Sequence, residues 1–222
     1  MVLKKTPAFF ACIFAFALAI SLVPFSMGYS SPFELIIRLL ALNGFFALSI
    51  AAMMTPFLKE VTLFFKKSFI SIHHYFAAAG LLLITLHPIA VAIEALDPTI
   101  LLPNFASLYS FFFYGGSVAL ISVYVAFGSV LLRKKAAAYW RPFHALMYVA
   151  LFFGVVHANL WGMDFQNIYI TIIYDGLFAG VLVAFGLKRW QFYRIKKRNN
   201  KNHAAVAKNK SLITESAQIK TG

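Results

Sequence analysis

Six stretches of this chain are long, apolar and almost without charge, and no other feature limits its possible folds as tightly. Thr6–Phe33, Ser68–Ile93, Pro98–Leu132 and Pro142–Met163 contain no Asp, Glu, Lys or Arg. Leu35–Leu58 contains only Arg38, and Phe165–Leu187 only Asp175. About 20 such residues in a helix cross the hydrocarbon of a bilayer. Lipid offers the backbone no hydrogen-bond partner, so uninterrupted apolar runs of this length must be helical. The expected fold is all-α, a six-transmembrane-helix bundle over residues 1–187. Composition agrees: 61% of the 222 residues are hydrophobic and 12% are charged, about half the charged share of a soluble domain. No separate soluble domain is expected.

The expected helices run from about Thr6 to Met27, Phe33 to Phe57, Phe69 to Ala95, Leu108 to Leu132, Pro142 to Trp161 and Ile168 to Leu187. The first begins as a signal peptide would, with MVLKK before an apolar run. That run exceeds the 7–15 residues of a signal core, and no small-residue cleavage site follows it, which marks a membrane helix. LKEVTLFFKKS reads as a plain connection between helices two and three.

Basic residues set the orientation. Lys4 and Lys5 precede helix one, and Lys59, Lys66 and Lys67 follow helix two. Arg133, Lys134, Lys135 and Arg141 follow helix four, and ten more Lys and Arg follow helix six. The alternate loops carry Glu34, Glu94, Asp97 and Asp164 and no base. The positive-inside rule then places both termini in the cytoplasm, in a plasma membrane. Trp140, Trp161 and Trp190 fall at expected helix ends, where an aromatic belt belongs. The formal charge of +13 reports topology. No basic reading surface for nucleic acid is visible. The segment 188–222 is a basic cytoplasmic tail, polar enough to be disordered beyond its first turns. Cys12, the single cysteine, excludes an intramolecular disulfide and a cysteine-ligated iron–sulfur cluster; a buried structural thiol is the simple expectation.

Polar groups inside the membrane then become the informative residues. Five of the six histidines lie on two of the six helices, His73, His74 and His87 on the third and His144 and His157 on the fifth. Both helices run outward, so each level of the membrane receives one imidazole from each helix. Ionisable side chains in a span are costly and mark function. Paired neutral imidazoles on facing helices suit axial ligation of haem iron, because a flat macrocycle fits between two helices. Fourteen residues at 100° leave His87 within about 40° of His73. Gly80 lies midway, flanked by Ala77, Ala78 and Ala79, where a porphyrin edge can approach the backbone. His74, thirteen residues before His87, is the alternative to His73. On helix five, thirteen residues place His157 about 140° around from His144. Either that helix deforms or the two macrocycles meet different sides of it. A proton relay is the competing use of membrane histidines; Asp175 is nearly alone as an acidic partner within the spans. A haem-free proton- or solute-coupled transporter is the corresponding rival function.

The pattern His-x13-His in SIHHYFAAAGLLLITLHP and His-x12-His in YWRPFHALMYVALFFGVVH, within a six-helix core, resembles the ferric reductase-like transmembrane domain. That superfamily includes the membrane parts of ferric reductases and NADPH oxidases, and the resemblance covers residues 38–187. TPFLKEVTLFFKK is similar to its smaller bacterial branch, which includes the haem subunit of the periplasmic methionine sulfoxide reductase system. That branch commonly lacks the inner histidine on helix three. The resemblance implies two b-type haems, the inner held by His73 and His144 and the outer by His87 and His157. Electrons would pass from a cytoplasmic donor to an outer acceptor: a ferric chelate, oxygen or an exported protein. An alternative is a haem-binding subunit serving a separate exported reductase. Nothing here opens a nucleotide-binding βαβ unit, so FAD and NAD(P)H chemistry is expected only through a separate flavoprotein, docked on the cytoplasmic basic loops. This makes the chain an oxidoreductase component without its own flavin domain. Haem propionates seek Arg or Lys. Arg141 lies at the inner level; Arg38, at the outer level, is equally suited to an i,i+4 pair with Glu34.

Overall fold

The structure is a computed structural model that describes residues 5–135 and 137–221, with side chains described from Ile13 to Asn200. Every regular element among the described residues is helical. Helix α1 is Lys5–Met27, α2 Pro32–Met53, α3 Leu58–Phe65, α4 Phe69–Ala95, α5 Leu108–Phe113 and α6 Gly115–Leu131. Then follow α7 Trp140–His144, α8 Leu146–Trp161 and α9 Ile168–Thr221. Four stretches are long and apolar enough to cross a membrane: Pro32–Met53, Phe69–Ala95, Trp140–Trp161 and Ile168–Asn200. Ile13–Met27 and Gly115–Leu131 are apolar but shorter. Lys4 lies outside the described residues, and Cys12 and His203 outside the described side chains.

Local chemistry explains the boundaries. At the start of α2 the Ser31 hydroxyl accepts from the Glu34 amide at 3.0 Å, with Pro32 at the first helical position. Ser68 caps α4 by accepting from the Ser71 amide, and Ser107 caps α5 by accepting from that of Ser110. In the loop after α4, Asp97 accepts from the Thr99 amide and hydroxyl, which holds its carboxyl below the usual range.

Four details depart from the sequence expectations. Helix two ends at Met53, four residues before Phe57, and the expected plain connection contains α3. This helix is amphipathic, burying Val61 and Phe65 against Met54 and Ile72 while Leu63 stays exposed. Helix four is interrupted at Tyr114, and helix five at Ala145. The last helix continues past Leu187 to Thr221, where composition points to disorder, and Trp190 therefore lies inside a helix.

The tightest crossing joins α2 and α4. A Cβ on Gly44 would stand 3.0 Å from the Ile84 amide nitrogen, and one on Gly80 would stand 3.0 Å from that of Leu48. Two glycines thus bring the backbones together, as small residues do between membrane helices. α1 joins α2 and α9 through Ile20, Leu42, Phe46, Ile170 and Tyr174. Leu48, Leu151 and Val181 link α2, α8 and α9. His87 on α4 and His157 on α8 both border one interior cavity.

A candidate cofactor site built on four histidines

The α2–α4 seam advances in steps of seven. His73 and His87 on α4 face Ala51 and Ile37 on α2 in antiparallel order, and between them Gly80 packs on Leu48 and Gly44 on Ile84. A seven-residue repeat keeps one stripe of a helix on its neighbour. Along this stripe His73 Nδ1 lies 3.1 Å from the Ala51 carbonyl, and His87 Nδ1 3.1 Å from the Ile37 carbonyl. The fourteen-residue spacing of the histidines is also the spacing of the carbonyls.

The second pair follows the same rule at a different spacing. His157 Nδ1 is 2.6 Å from the Phe113 carbonyl, and His144 Nδ1 is 3.5 Å from that of Ala126. Phe113 and Ala126 are thirteen residues apart, as are His144 and His157. An ideal helix would turn the two rings away from each other. The break at Ala145 removes that difficulty: its amide reaches the Pro142 and Arg141 carbonyls, and the Tyr148 amide reaches its carbonyl, in a tightened turn. The break at Tyr114 has its own use. It ends α5 at Phe113, whose carbonyl would be an orphan at a helix end and instead receives His157.

These hydrogen bonds fix the imidazole chemistry. A carbonyl only accepts, so each Nδ1 donates, and in the neutral ring the lone pair then lies on Nε2. This second contact is what holds a metal-binding imidazole in one tautomer and orientation. Each level brings two such rings together. His73 and His144 have ring centres 6.5 Å apart, inclined at 76°. His87 and His157 line one cavity of about 390 Å³, within the range of small-molecule sites. Its body is apolar, with Phe45, Leu48, Leu151 and Val155 on its walls. Among the described residues, no group of three or more His, Cys, Asp or Glu is placed to hold a metal. The histidines come in twos, the number that axial ligation of a macrocycle uses.

The other predicted site residues have different surroundings. His74 is exposed, its ring 6.1 Å from that of His73. Gly80 is buried against Leu48, so its missing Cβ serves the helix crossing and not a porphyrin edge; Ala78 and Ala79 are exposed. Arg141 is exposed and stacks over Trp140 at 5.5 Å.

Arg38 is 7% exposed. Its Nε donates to Asp164 Oδ2 at 3.0 Å and its Nη2 to Asp164 Oδ1, a two-point pairing between α2 and the turn before α9. Nη1 donates to the Gly28 carbonyl at 2.6 Å and to Glu34 at 3.2 Å. The i,i+4 pair with Glu34 is present, but Asp164, 126 positions away, takes the better geometry. Each guanidinium nitrogen makes at least one of these contacts, so a propionate at Arg38 would compete with Asp164 and Glu34 for it. Asp175 is exposed and accepts from Asn159 at 2.9 Å, outside the cavity. Comparison of the chain with family models, with curated proteins and with solved structures yields no match.

Proposed function

We propose that this protein is a membrane cytochrome of the b type, which moves electrons between a cytoplasmic donor and an acceptor on the outer side. The chain would cross the membrane six times with both termini inside. Haem b would be held at two levels, by His73 and His144 near the inner face and by His87 and His157 near the outer. The carrying observation is that these four imidazoles each donate Nδ1–H to a carbonyl of a neighbouring helix, in two pairs. The histidine spacings that resemble the ferric reductase-like domain support the same assignment. Bound between two imidazoles, haem supplies one-electron Fe(III)/Fe(II) chemistry without an open position for substrate.

The chain's own contribution is binding and orientation. Ala51, Ile37, Ala126 and Phe113 hold the rings in the ligating tautomer. Phe69 stacks on His73 at 5.6 Å, and Trp161 meets His157 edge-on at 5.6 Å, limiting ring rotation. Leu42, Phe45, Leu48 and Leu151 give the outer cavity an apolar wall. Lys66, Lys67 and Arg133–Lys135, beside the inner level, would attract an acidic flavoprotein donor.

A reduced-minus-oxidised absorption spectrum of the purified protein tests the assignment, together with the haem-to-protein ratio. We expect a b-type α band and two haems per chain. His144→Ala should remove one haem and His157→Ala the other. A spectrum without the band overturns the proposal, and would favour a haem-free transporter.

A further inference from the structure

One wall of the outer cavity is bare backbone. Gly116, in the first turn of α6, lines the cavity beside His157. A Cβ built on Gly116 would stand 3.1 Å from His157 Nε2, 3.2 Å from Cδ2 and 3.5 Å from Cε1. Nearly equal distances to three adjacent ring atoms place that carbon over the face of the imidazole. In the ring plane beyond Nε2 it would be distinctly farther from the two carbons than from the nitrogen. The α6 backbone is thus a flat shelf against the ring. The Nε2 lone pair lies in the ring plane, so the shelf leaves it open. Two other contacts hold the ring: the Phe113 carbonyl, 2.6 Å from Nδ1, and Trp161, edge-on at 5.6 Å.

Backbone conformation does not ask for glycine here. Gly116 lies within α6 without a positive φ, and alanine is the more stable residue inside a helix. What the missing Cβ provides is space against His157. Non-bonded carbons rest about 3.5–4.0 Å apart, so a methyl on Gly116 would press on the ring. The short hydrogen bond to Phe113 leaves that ring little room to yield. Neighbouring Gly115 differs: a Cβ there would meet Phe153 Cδ1 at 3.2 Å and, of His157, only its Cβ, at 3.8 Å. We infer that Gly116 is a positioning residue for the outer site, because the shelf it leaves bare sets the plane in which His157 presents Nε2. From sequence, Gly80 is expected to give a macrocycle its close approach; Gly80 packs on Leu48, whereas Gly116 touches a ligating ring. The inference rests on the haem assignment and deepens it.

The test compares Gly116→Ala with Gly115→Ala in full-length protein. The first measurement is the unfolding temperature of the haem-free protein, with His157 present and with His157→Ala. Gly116→Ala should lower it when the ring is there, and leave it unchanged or raise it when the ring is gone. Gly115→Ala should cost the same in both backgrounds. If Gly116→Ala alone fails to fold, a folded Gly116→Ala/His157→Ala protein is the same result in stronger form, and an unfolded one overturns the inference. The second measurement uses a His144→Ala background, where the outer haem is the only one expected. The low-field EPR signal of low-spin Fe(III), which reads the angle between the two imidazole planes, should move in Gly116→Ala and stay in Gly115→Ala. Haem should pass to an apomyoglobin scavenger at least about tenfold faster from Gly116→Ala, and at the parental rate from Gly115→Ala. Two variants that change signal and rate equally, or change neither, overturn the inference. If wild-type protein takes up no haem at all, the proposed function falls and this inference falls with it. Two haems in the wild type with a signal indifferent to Gly116→Ala sinks this inference alone.

Discussion

At the scale of single residues, the decisive fact is how each buried polar group is partnered. Arg38 and Asp164 form a largely buried two-point pair, with Glu34 as a second carboxylate. Breaking a buried pair leaves an uncompensated charge and costs about 3–5 kcal/mol, more than the pair itself contributes. Asp164→Asn should therefore lower the unfolding temperature in detergent sharply. Arg38→Leu combined with Asp164→Leu should restore much of the loss, although Glu34 then lacks its partner. A double variant worse than both single ones would contradict this account. The pair was only half legible in the sequence. Glu34 is four residues from Arg38, a local relation that helix geometry gives directly. Asp164 is 126 positions away, and no spacing rule reaches that far.

The imidazoles carry the same lesson. That His73, His87, His144 and His157 form two levels follows from helix direction and residue number. The carbonyls that hold them do not, because any residue has one. His73 differs from His74 through the α2 carbonyl it meets, and the sequence tilts that choice only by helical angle. Tyr174 had no distinguishing signal among ten tyrosines; burial without a partner sets it apart.

At the scale of elements, glycines divide into those that permit a contact and those that merely lack a side chain. Gly80→Ala would drive a methyl into Leu48 backbone at the α2–α4 crossing, and Gly44→Ala would do the same to Ile84. Overpacking of this kind costs about 1–3 kcal/mol. Each should lower the unfolding temperature and weaken the haem binding proposed above, since the seam carries His73 and His87. Gly128, on α6, has nothing within 4 Å of an added Cβ. Gly128→Ala should be neutral or raise stability by about 0.5–1 kcal/mol through helix propensity. Equal effects at Gly80 and Gly128 would refute the packing role. The breaks at Tyr114 and Ala145 belong to this scale too. A seven-residue stripe needs no break, and α4 runs unbroken from Phe69 to Ala95. The thirteen-residue stripe meets its partner through interrupted helices. Hydropathy registers neither interruption, because both flanks are equally apolar.

At the scale of the whole molecule, charge asymmetry gives the direction in which the site would work. Lys66, Lys67 and Arg133–Lys135 lie on the side of His73 and His144, and Glu94 and Asp97 on the side of His87 and His157. Single cysteines introduced at Lys67 and at Asp97, in a Cys12→Ala background, should react with an impermeant thiol reagent from opposite faces of sealed vesicles. Labelling of both from one face would refute the arrangement. Under the proposed function, replacing the five basic residues with Gln should slow haem reduction by a cytoplasmic donor about tenfold or more at low salt. The difference should shrink as ionic strength rises, because exposed charges are screened. A rate indifferent to both changes would place the docking surface elsewhere.

The sequence by itself determined that this chain is helical and apolar, where four of its membrane-length segments lie, and that His73 and His144 come together. Those properties are local or periodic. Length, charge exclusion and residue spacing act on one segment at a time, and the bilayer allows that segment little else than a helix. The tertiary structure alone decided the rest: that Gly80 serves a helix crossing, that Arg38 answers Asp164, and that the Tyr174 hydroxyl is buried without a hydrogen-bond partner. Each of these depends on which atom of a distant helix lies within about 3 Å, the reach of a hydrogen bond. Apolar runs, interchangeable to lipid, do not specify that, whereas the packed bundle does.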